Sequence, residues 1–221
     1  MKINNRLKKI GDLVDANSFC LDVGCDHGLL DIYLVEQNKN IRAVASDIKE
    51  GPLNIAKENI KKEKMENLIE TRLGAGLDTY TDDIDTIIIS GMGGKNMIGI
   101  FKDHLEVLKK VNTIIVSPNN YQVDVRKFLI QHGFYVDDEV YVKEKNIIYQ
   151  IMKLKVGKRT YHKKQLFFGP IFLQKKEPLF FEYYKRELLS RNILLSMLPK
   201  NYYYKRFITK LEISRISKEL K

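Results

Sequence analysis

The sequence predicts an α/β protein: an open, mostly parallel sheet covered by helices, followed by a small helical hairpin. Three observations predict this class. Short apolar runs alternate with helical patterns from residue 18 to residue 133, as in successive strand–helix units. Two strand-like runs, 134–142 and 146–154, are then joined by only three residues, which permits only antiparallel pairing. Beyond residue 156 the composition becomes helical and basic.

The elements follow from the apolar spacing in chain order. Apolar residues spaced by four, three and four predict a first helix over 2–16. Strands are then predicted at 18–23, 41–46, 68–73, 85–89 and 113–116, with helices at 28–37, 52–63, 95–109 and 121–131. Pro52 suits the first turn of its helix, and Gly133 suits the end of the last one. The run 85–89 is continuously apolar, as expected for a strand covered on both faces.

Helical patterns return in the last third of the chain. A basic linker, 157–164, precedes a predicted helix over 178–197, and Pro199 separates it from a second helix over 202–220. Apolar residues spaced by three, four and seven predict an αα-hairpin of coiled-coil character. The predicted seam residues are Phe181, Tyr184, Leu188, Leu195 and Leu198 on the first helix and Tyr204, Phe207, Leu211 and Leu220 on the second.

The net charge of +10 is concentrated in the same third. Residues 156–221 contain 16 Lys and Arg, 5 Glu and no Asp, which gives +11, whereas residues 1–155 total −1. We therefore expect two domains, 1–155 and 156–221, the second of which faces a polyanion such as nucleic acid. A solvated basic helix without a partner is the alternative.

Composition also disfavours several classes of protein. The sequence has no apolar run of about 18 residues that would predict a membrane span, and its N-terminal residues lack the apolar core of a signal peptide. Cys20 and Cys25 have no C-x-x-C partner, which disfavours a structural zinc site and favours a reduced, cytoplasmic setting. We expect a monomer that binds neither metal nor membrane.

The turn after the first strand carries the strongest chemical signature, Asp22-Val-Gly24-Cys-Asp26-His27-Gly28. Its two glycines let a ligand approach the backbone closely. The carboxylate of Asp26 between them favours a cationic ligand over a pyrophosphate, as does Asp22. Capping of the following helix is the alternative role for either acid. Of the four histidines, only His27 falls in this site.

Two further loops extend the predicted ligand site. Asp47 ends the second strand, 23 residues after Gly24, where an acid accepts hydrogen bonds from ribose hydroxyls. Ile48 beside it is placed to contact an adenine ring. The third strand leads into Gly74-Ala75-Gly-Leu, the corresponding loop on the next strand.

The loops after the fourth and fifth strands are predicted to face the reaction partner. Four of the five residues in Ser90-Gly91-Met92-Gly-Gly are small, which leaves room for a flat base, with Met92 as an apolar shelf. A purely structural tight turn is the alternative. Asn119 follows the fifth strand on the same rim, where its amide can hydrogen-bond an adenine edge.

These motifs, in this order, resemble the bacterial tRNA (adenine-N1)-methyltransferase family that modifies adenine 22. The resemblance rests on Asp22-Val-Gly-Cys-Asp26-His27-Gly28, Gly51-Pro52, Gly74-Ala-Gly-Leu77, Ser90-Gly-Met-Gly-Gly94 and Ser117-Pro118-Asn119. It covers residues 1–155 and implies the Rossmann-like sheet of class I methyltransferases, seven-stranded with an antiparallel last strand. The family usually has Gly-Asp-Gly-Leu in the third motif, so Ala75 departs from the pattern.

The resemblance implies S-adenosyl-L-methionine as cofactor and N1 of adenine 22 in tRNA as methyl acceptor. Since that nitrogen carries a lone pair, in-line positioning suffices without a strong base. The predicted cofactor-binding residues are Asp22, Gly24, Asp26, Gly28, Asp47, Ile48, Gly74, Ala75 and Gly91; the catalytic ones are His27, Met92 and Asn119; the RNA-binding ones are Lys185, Arg186, Lys205 and Arg206. The alternatives are an RNA-binding module with a vestigial cofactor fold and a methyltransferase acting on another substrate.

Overall fold

The computed structural model describes residues 3–37 and 39–221, and within them it confirms the predicted α/β class. The strands are β1 Phe19–Val23, β2 Arg42–Asp47, β3 Ile69–Leu73, β4 Thr86–Ser90, β5 Thr113–Ser117, β6 Phe134–Glu144 and β7 Ile147–Val156. They form one sheet in the order β3-β2-β1-β4-β5-β7-β6. The first five strands pair in parallel, whereas β7 is antiparallel to both β5 and β6. The predicted antiparallel hairpin is therefore confirmed.

Most helices lie close to their predicted positions, but two short helices within residues 163–175 were not predicted. The helices are α1 Asn5–Asp12, α2 Leu29–Glu36, α3 Glu50–Lys62, α4 Gly94–Asp103, α5 Leu105–Leu108, α6 Gln122–Gln131, α7 Lys163–Phe168, α8 Pro170–Lys175, α9 Pro178–Met197 and α10 Tyr203–Glu219. The first helix is shorter than predicted, and Lys2, which the prediction included, lies outside the described residues.

The predicted helix over 95–109 is interrupted at His104, which separates α4 from α5. The imidazole Nδ1 lies 2.9 Å from the Ile100 carbonyl oxygen, and Nε2 lies 2.8 Å from Asp78 Oδ1. Burial lowers the pKa of His104, but these two contacts outweigh it and raise the pKa above its ordinary value. The loop after β3 is thereby tied to the end of α4.

The central strands are buried on both faces of the sheet. Ile87 and Ile89 of β4 belong to one apolar cluster, whereas Ile88 between them belongs to the other. Ile114 and Ile115 of β5 divide in the same way. Helices therefore cover both faces of the sheet. In such sheets ligands bind at the carboxyl ends of the strands, at the topological switch, which lies between β1 and β4.

The chain divides into a first compact unit that ends at Leu173 and a second, Gln174–Lys221. The boundary predicted between 155 and 156 therefore falls inside the first unit. Hydrogen bonds to a buried ion pair attach residues 166–171 to the first unit. Arg126 on α6 and Glu139 on β6 are both fully buried, with Nη2 and Oε1 2.8 Å apart, and Arg126 Nη1 donates to the Leu166 carbonyl oxygen at 3.1 Å. Glu139 Oε2 also accepts from the Ile171 backbone N–H at 3.0 Å, which holds the connecting segment on the sheet.

The second unit is the α9–α10 hairpin. Arg191 on α9 pairs with Glu187 on its own helix and with Glu212 on α10. Arg206 donates to the carbonyl oxygens of Leu195 at 3.0 Å and Leu198 at 2.6 Å, so it caps the end of α9. Ion pairs and capping therefore join the two helices.

The seam predicted on α10 is wrong. Tyr204, Phe207 and Leu211 are 79%, 58% and 46% exposed, while Thr209 and Ile216, seven residues apart, are buried. Apolar residues occur on every side of this helix, so their spacing did not identify the face that packs. On α9 the predicted Tyr184 is buried.

Candidate active site

The turn between β1 and α2 is held in left-handed backbone conformations. The φ angles are +77° at Gly24, +54° at Asp26 and +67° at Gly28. Aspartate tolerates this region better than most side chains. The N-cap of α2 is Gly28, with no side-chain hydrogen bond, so neither Asp26 nor the β1 residue Asp22 caps this helix. The capping alternative is therefore wrong.

The two glycines of the turn serve different contacts. A Cβ on Gly28 would lie 3.1 Å from the Ala56 Cβ, so this position allows α2 to pack closely on α3. A Cβ on Gly24 would lie 2.9 Å from the Met92 methyl carbon. Met92 thus reaches from the loop after β4 to the turn after β1, and the two predicted loops are adjacent.

Buried carboxylates gather behind the turn without a described cation. Asp22 is 3% exposed and Asp31, on α2, is fully buried. Neither carboxylate oxygen of Asp31 has a hydrogen-bond partner among the described residues. Burial raises the pKa of Asp31 to about 7. Burial also raises the pKa of Asp22 well above its usual range, and the charges of Asp31 and Asp47 add to this.

Sequence reasoning missed Asp31. Its signal was an acid within the otherwise apolar start of α2, Leu29-Leu-Asp-Ile-Tyr-Leu. A cluster that contains only acceptors is destabilised by its own charge repulsion. A bound cationic group would relieve this repulsion, so the cluster suits a ligand with an amino group.

Asp26 and His27 lie at the open side of the turn. The Asp26 side chain is 75% exposed, and its Oδ1 lies 3.6 Å from His27 Nε2, too far for a hydrogen bond. His27 Nδ1 is buried without a described partner. The His27 carbonyl oxygen accepts from Asn59 Nδ2 at 2.9 Å, which fixes its backbone. Asp26 is therefore accessible to a ligand.

The end of β2 has one polar and one apolar residue at the surface. Asp47 Oδ1 accepts from the Lys49 backbone N–H at 2.9 Å, which orients the carboxylate and leaves Oδ2 available. Ile48, the next residue, is 66% exposed, so its apolar side chain is accessible to a ligand. The Gly74 N–H donates to the Asp47 carbonyl oxygen at 3.0 Å, so the loop after β3 is attached here.

Ala75 occupies the position in the loop after β3 that is predicted to contact adenine, and it is exposed. A Cβ on Gly74 would lie 2.5 Å from Thr79 Cγ2, so a larger residue at this position would collide with the Thr79 side chain. The nearby carboxylate of Asp78 is bound to His104. Asp78 therefore does not replace the acid that Ala75 lacks.

The loops after β4 and β5 are hydrogen-bonded to each other. The Gly91 N–H donates to the Ser117 carbonyl oxygen at 3.2 Å, and the Asn119 N–H donates to the Met92 carbonyl oxygen at 2.9 Å. Asn119 Nδ2 donates to the Gly91 carbonyl oxygen at 2.6 Å. The Asn119 side-chain nitrogen thus holds the loop, and its Oδ1 remains the atom that can accept from a ligand.

Asn120, which sequence reasoning missed, completes this arrangement. Its Oδ1 accepts from the Gly94 N–H at 3.0 Å, at the start of α4. A Cβ on Gly94 would lie 2.5 Å from the Asn120 backbone oxygen. The glycine-rich loop is therefore a tight structural turn that also leaves Gly91 exposed.

A cleft of about 280 Å³ opens beside Asn119, between the loop after β5 and the β6–β7 hairpin. Its lining residues are Pro118, Asn119, Gln122, Ile147, Ile148 and Tyr149. Ile147 is 56% exposed. The cleft combines apolar walls with two side-chain amides, which is the character of a site for a flat, polar-edged ring.

The predicted RNA-binding residues differ in their contacts within the second unit. Lys185 and Lys205 are exposed, and no described carboxylate pairs with them. Arg186 forms an ion pair with Glu182, Nη2 to Oε1, at 2.6 Å. Arg206 Nη1 caps α9, so this nitrogen is occupied inside the hairpin.

No helix in residues 3–37 and 39–221 is long and apolar enough to cross a membrane. Within the same residues, no three His, Cys, Asp or Glu side chains gather in a way that could hold a metal ion. Cys20 and Cys25 are both buried and unpaired.

Comparison with known proteins identifies the family. The family model TrmK, tRNA (adenine(22)-N(1))-methyltransferase, matches residues 20–218. The tRNA (adenine(22)-N(1))-methyltransferase of Bacillus subtilis is 28% identical over 195 residues, 85% of this chain and 82% of that protein.

Solved structures agree with this assignment over the full chain. Streptococcus pneumoniae Sp1610 in complex with S-adenosyl-L-methionine is 29% identical, with a TM-score of 0.90 and 100% coverage of both chains. Mycoplasma capricolum TrmK in complex with S-adenosyl-homocysteine is 26% identical, with a TM-score of 0.87 and coverage of 100% and 98%. This chain belongs to the tRNA (adenine(22)-N(1))-methyltransferase family.

Proposed function

We propose that this chain performs its family's reaction, methyl transfer from S-adenosyl-L-methionine to N1 of adenine 22 in tRNA, between two sets of loops. The donor side comprises residues 24–28 with Asp22, Asp31 and Asp47. The acceptor side comprises residues 91–94 and 118–120. The observation that carries the proposal is the contact between Gly24 and Met92, which places the two sides next to each other.

The residues of the donor side fit S-adenosyl-L-methionine. Asp22 and Asp26 accept hydrogen bonds from its amino group, which provides the cation that the buried carboxylates lack. Asp47 Oδ2 accepts from the ribose hydroxyls, and exposed Ile48 contacts the adenine face. When bound, the cofactor supplies a methyl group made electrophilic by the sulfonium.

The residues of the acceptor side orient the target base. Asn119 Oδ1 accepts from the adenine amino group, and Met92 forms an apolar surface beneath the ring. No residue has to remove a proton from N1, because its lone pair is the nucleophile. Holding this lone pair in line with the methyl group is the main catalytic contribution. The Asp26 carboxylate, with His27 beside it, favours the positive charge that methylation creates on the base.

The second unit holds the tRNA backbone in this proposal. Four of its glutamates are engaged by cations, so its excess charge resides on exposed lysines such as Lys185 and Lys205. Phosphate contacts of this kind give salt-dependent affinity. We propose that the protein acts as a monomer and that it works in the cytoplasm, a reducing compartment in which its unpaired cysteines stay reduced.

The test is methyl transfer from labelled S-adenosyl-L-methionine to unmodified tRNA, with the product mapped by reverse-transcription stops. The expected result is one stop, at adenine 22. His27→Ala is expected to lower turnover while cofactor binding stays intact. Tight tRNA binding without measurable cofactor affinity would instead favour an RNA-binding module with a vestigial cofactor fold.

A further inference from the structure

Arg6, on α1, reaches the acceptor side from a distant part of the sequence. Its Cζ lies 4.7 Å from the centroid of the Tyr149 ring, within the range of a cation–π contact. Its Nη2 lies 3.3 Å from the point where a Cβ on Gly91 would stand. The Arg6 backbone N–H donates to Glu144 Oε2 at 3.3 Å, which holds α1 against the β6–β7 hairpin.

The guanidinium of Arg6 has no carboxylate partner among the described residues. Its neighbour Lys9 differs in this respect, because Lys9 Nζ lies 3.5 Å from Asp12 Oδ2. An arginine that rests on an aromatic ring loses little freedom when it binds, and its planar donors match the oxygens of a phosphate. The guanidinium of Arg6 is therefore held in place to bind an anion, and the described residues offer it no carboxylate.

The position of Arg6 links it to the cleft beside Asn119. Tyr149, under the guanidinium, is one wall of that cleft. Gly91, also in contact with Arg6, accepts the hydrogen bond from Asn119. A base in the cleft and a phosphate on Arg6 would thus both lie next to Gly91, within the reach of a single nucleotide.

We propose that Arg6 binds a phosphate of the target nucleotide while the cleft beside Asn119 receives its base. Arg6 is then a positioning residue: by fixing the phosphate, it keeps an adenosine that has left the tRNA stack from moving relative to the methyl donor. This inference rests on the proposed function, since it takes RNA as the ligand of the acceptor side.

The experiment compares Arg6→Gln with Lys8→Gln, a matched control that removes the same charge from an exposed position on α1. We expect Arg6→Gln to weaken the affinity for unmodified tRNA about tenfold and to reduce the slope of log affinity against log salt by about one. Lys8→Gln should change the affinity less than threefold. Affinity for S-adenosyl-L-methionine, measured by calorimetry, should stay within twofold in both variants.

Two further variants separate a phosphate contact from a structural role. Arg6→Lys keeps the charge and should retain the salt slope with intermediate affinity. Tyr149→Leu removes the ring on which Arg6 rests, so the effects of Arg6→Gln and Tyr149→Leu on tRNA binding should be less than additive. Any of three results would overturn the inference. These are equal effects of Arg6→Gln and Lys8→Gln on tRNA binding, additive effects of Arg6→Gln and Tyr149→Leu, and a parallel loss of cofactor affinity in Arg6→Gln.

Because tRNA binding is measured without turnover, the two proposals can fail separately. A wild-type protein that shows this dependence on Arg6 but transfers no methyl group would contradict the proposed function and support the phosphate contact. An Arg6→Gln variant that methylates adenine 22 normally, with an unchanged KM for tRNA, would contradict the phosphate contact and support the proposed function.

Discussion

The donor and acceptor sides of the site are built on different physical principles. The donor side contains buried carboxylates whose charges repel each other and whose pKa values are raised. The loops of the acceptor side, residues 91–94 and 118–120, contain no charged residue, and they are joined by short hydrogen bonds between Gly91, Met92 and Asn119. The donor side selects a ligand by charge, and without that ligand its repelling carboxylates lower the stability of the fold. The loops of the acceptor side select by shape and are already rigid before a ligand binds.

The largest expected effect concerns the charge of the donor side, at Asp31. Its pKa in the folded protein, about 7, lies above the unfolded value near 4, so the folded state binds more protons between these pH values. The free energy of unfolding should therefore fall as the pH rises from 4 to 7, by roughly 2–4 kcal/mol for a fully buried acid. Asp31→Asn should remove the part of this dependence that Asp31 contributes, whereas buried Asp22, whose pKa is also raised, continues to contribute its own part.

Urea unfolding between pH 4 and pH 8 measures this effect. Glu58→Gln, on the exposed face of α3, is the control and should leave the pH profile unchanged. A wild-type protein whose stability does not decline over this range would show that Asp31 is ionised in the fold, and the contrast between the two sides would disappear.

The second effect concerns the shape of the acceptor side, at Gly94. Its added Cβ in Gly94→Ala would meet backbone, 2.5 Å from the Asn120 oxygen, so the loop has to move. We expect a loss of about 1–3 kcal/mol in unfolding free energy, as for other overpacked sites, together with reduced kcat.

Gly99→Ala is the matched control in the same helix, α4, because nothing lies within 4 Å of the added Cβ. It should stabilise the protein by up to about 1 kcal/mol, since alanine favours the helix. Thermal melting of both variants measures the difference. Equal melting temperatures would mean that the loop moves easily to accept the added methyl group, so that the acceptor side is not rigid.

The third effect is weaker because the carboxylate involved is exposed. Asp26→Asn removes an acceptor for the cofactor amino group at the open side of the turn while its backbone conformation remains tolerable for asparagine. Cofactor affinity should fall about tenfold, as for the loss of one charge-assisted hydrogen bond. Calorimetric titration measures it, and an unchanged affinity would limit the charge selection to the buried acids.

The smallest expected effect comes from a substitution that adds a contact. Ala75→Asp restores the acid that the family usually has in the loop after β3. We expect cofactor affinity to rise two- to fivefold, in line with one solvent-exposed hydrogen bond to the adenine amino group. The same titration tests it, with Ala75→Asn as a neutral control that keeps the size of the side chain.

Local patterns in the sequence were sufficient for the strand–helix order and for most of the loop positions. The helix predicted over 178–197 matches α9, Pro178–Met197, because Pro178 marks its start and apolar residues recur along it. The turn at Gly24 and Asp26 was found because its glycines and acids are adjacent in sequence. Information of this kind depends on neighbours within a few residues, which the sequence displays directly.

The tertiary structure decided which distant residues meet. Hydrogen bonds of Leu166 and Ile171 with the buried Arg126–Glu139 pair attach the segment after residue 155 to the first compact unit. The predicted helix over 95–109 is interrupted at His104, whose ring contacts Asp78. Arg206, predicted to bind RNA, caps α9.

The site shows the same division most clearly. The chain order by itself determined that Asp22, near the end of β1, Asp26, in the turn after β1, and Asp47, at the end of β2, lie on one rim of a parallel sheet. Only the fold brought Asp31 behind them and Met92 against Gly24, and only the fold placed Arg6 over Tyr149. Burial and contact between remote segments depend on how the whole chain packs, and no local periodicity encodes them.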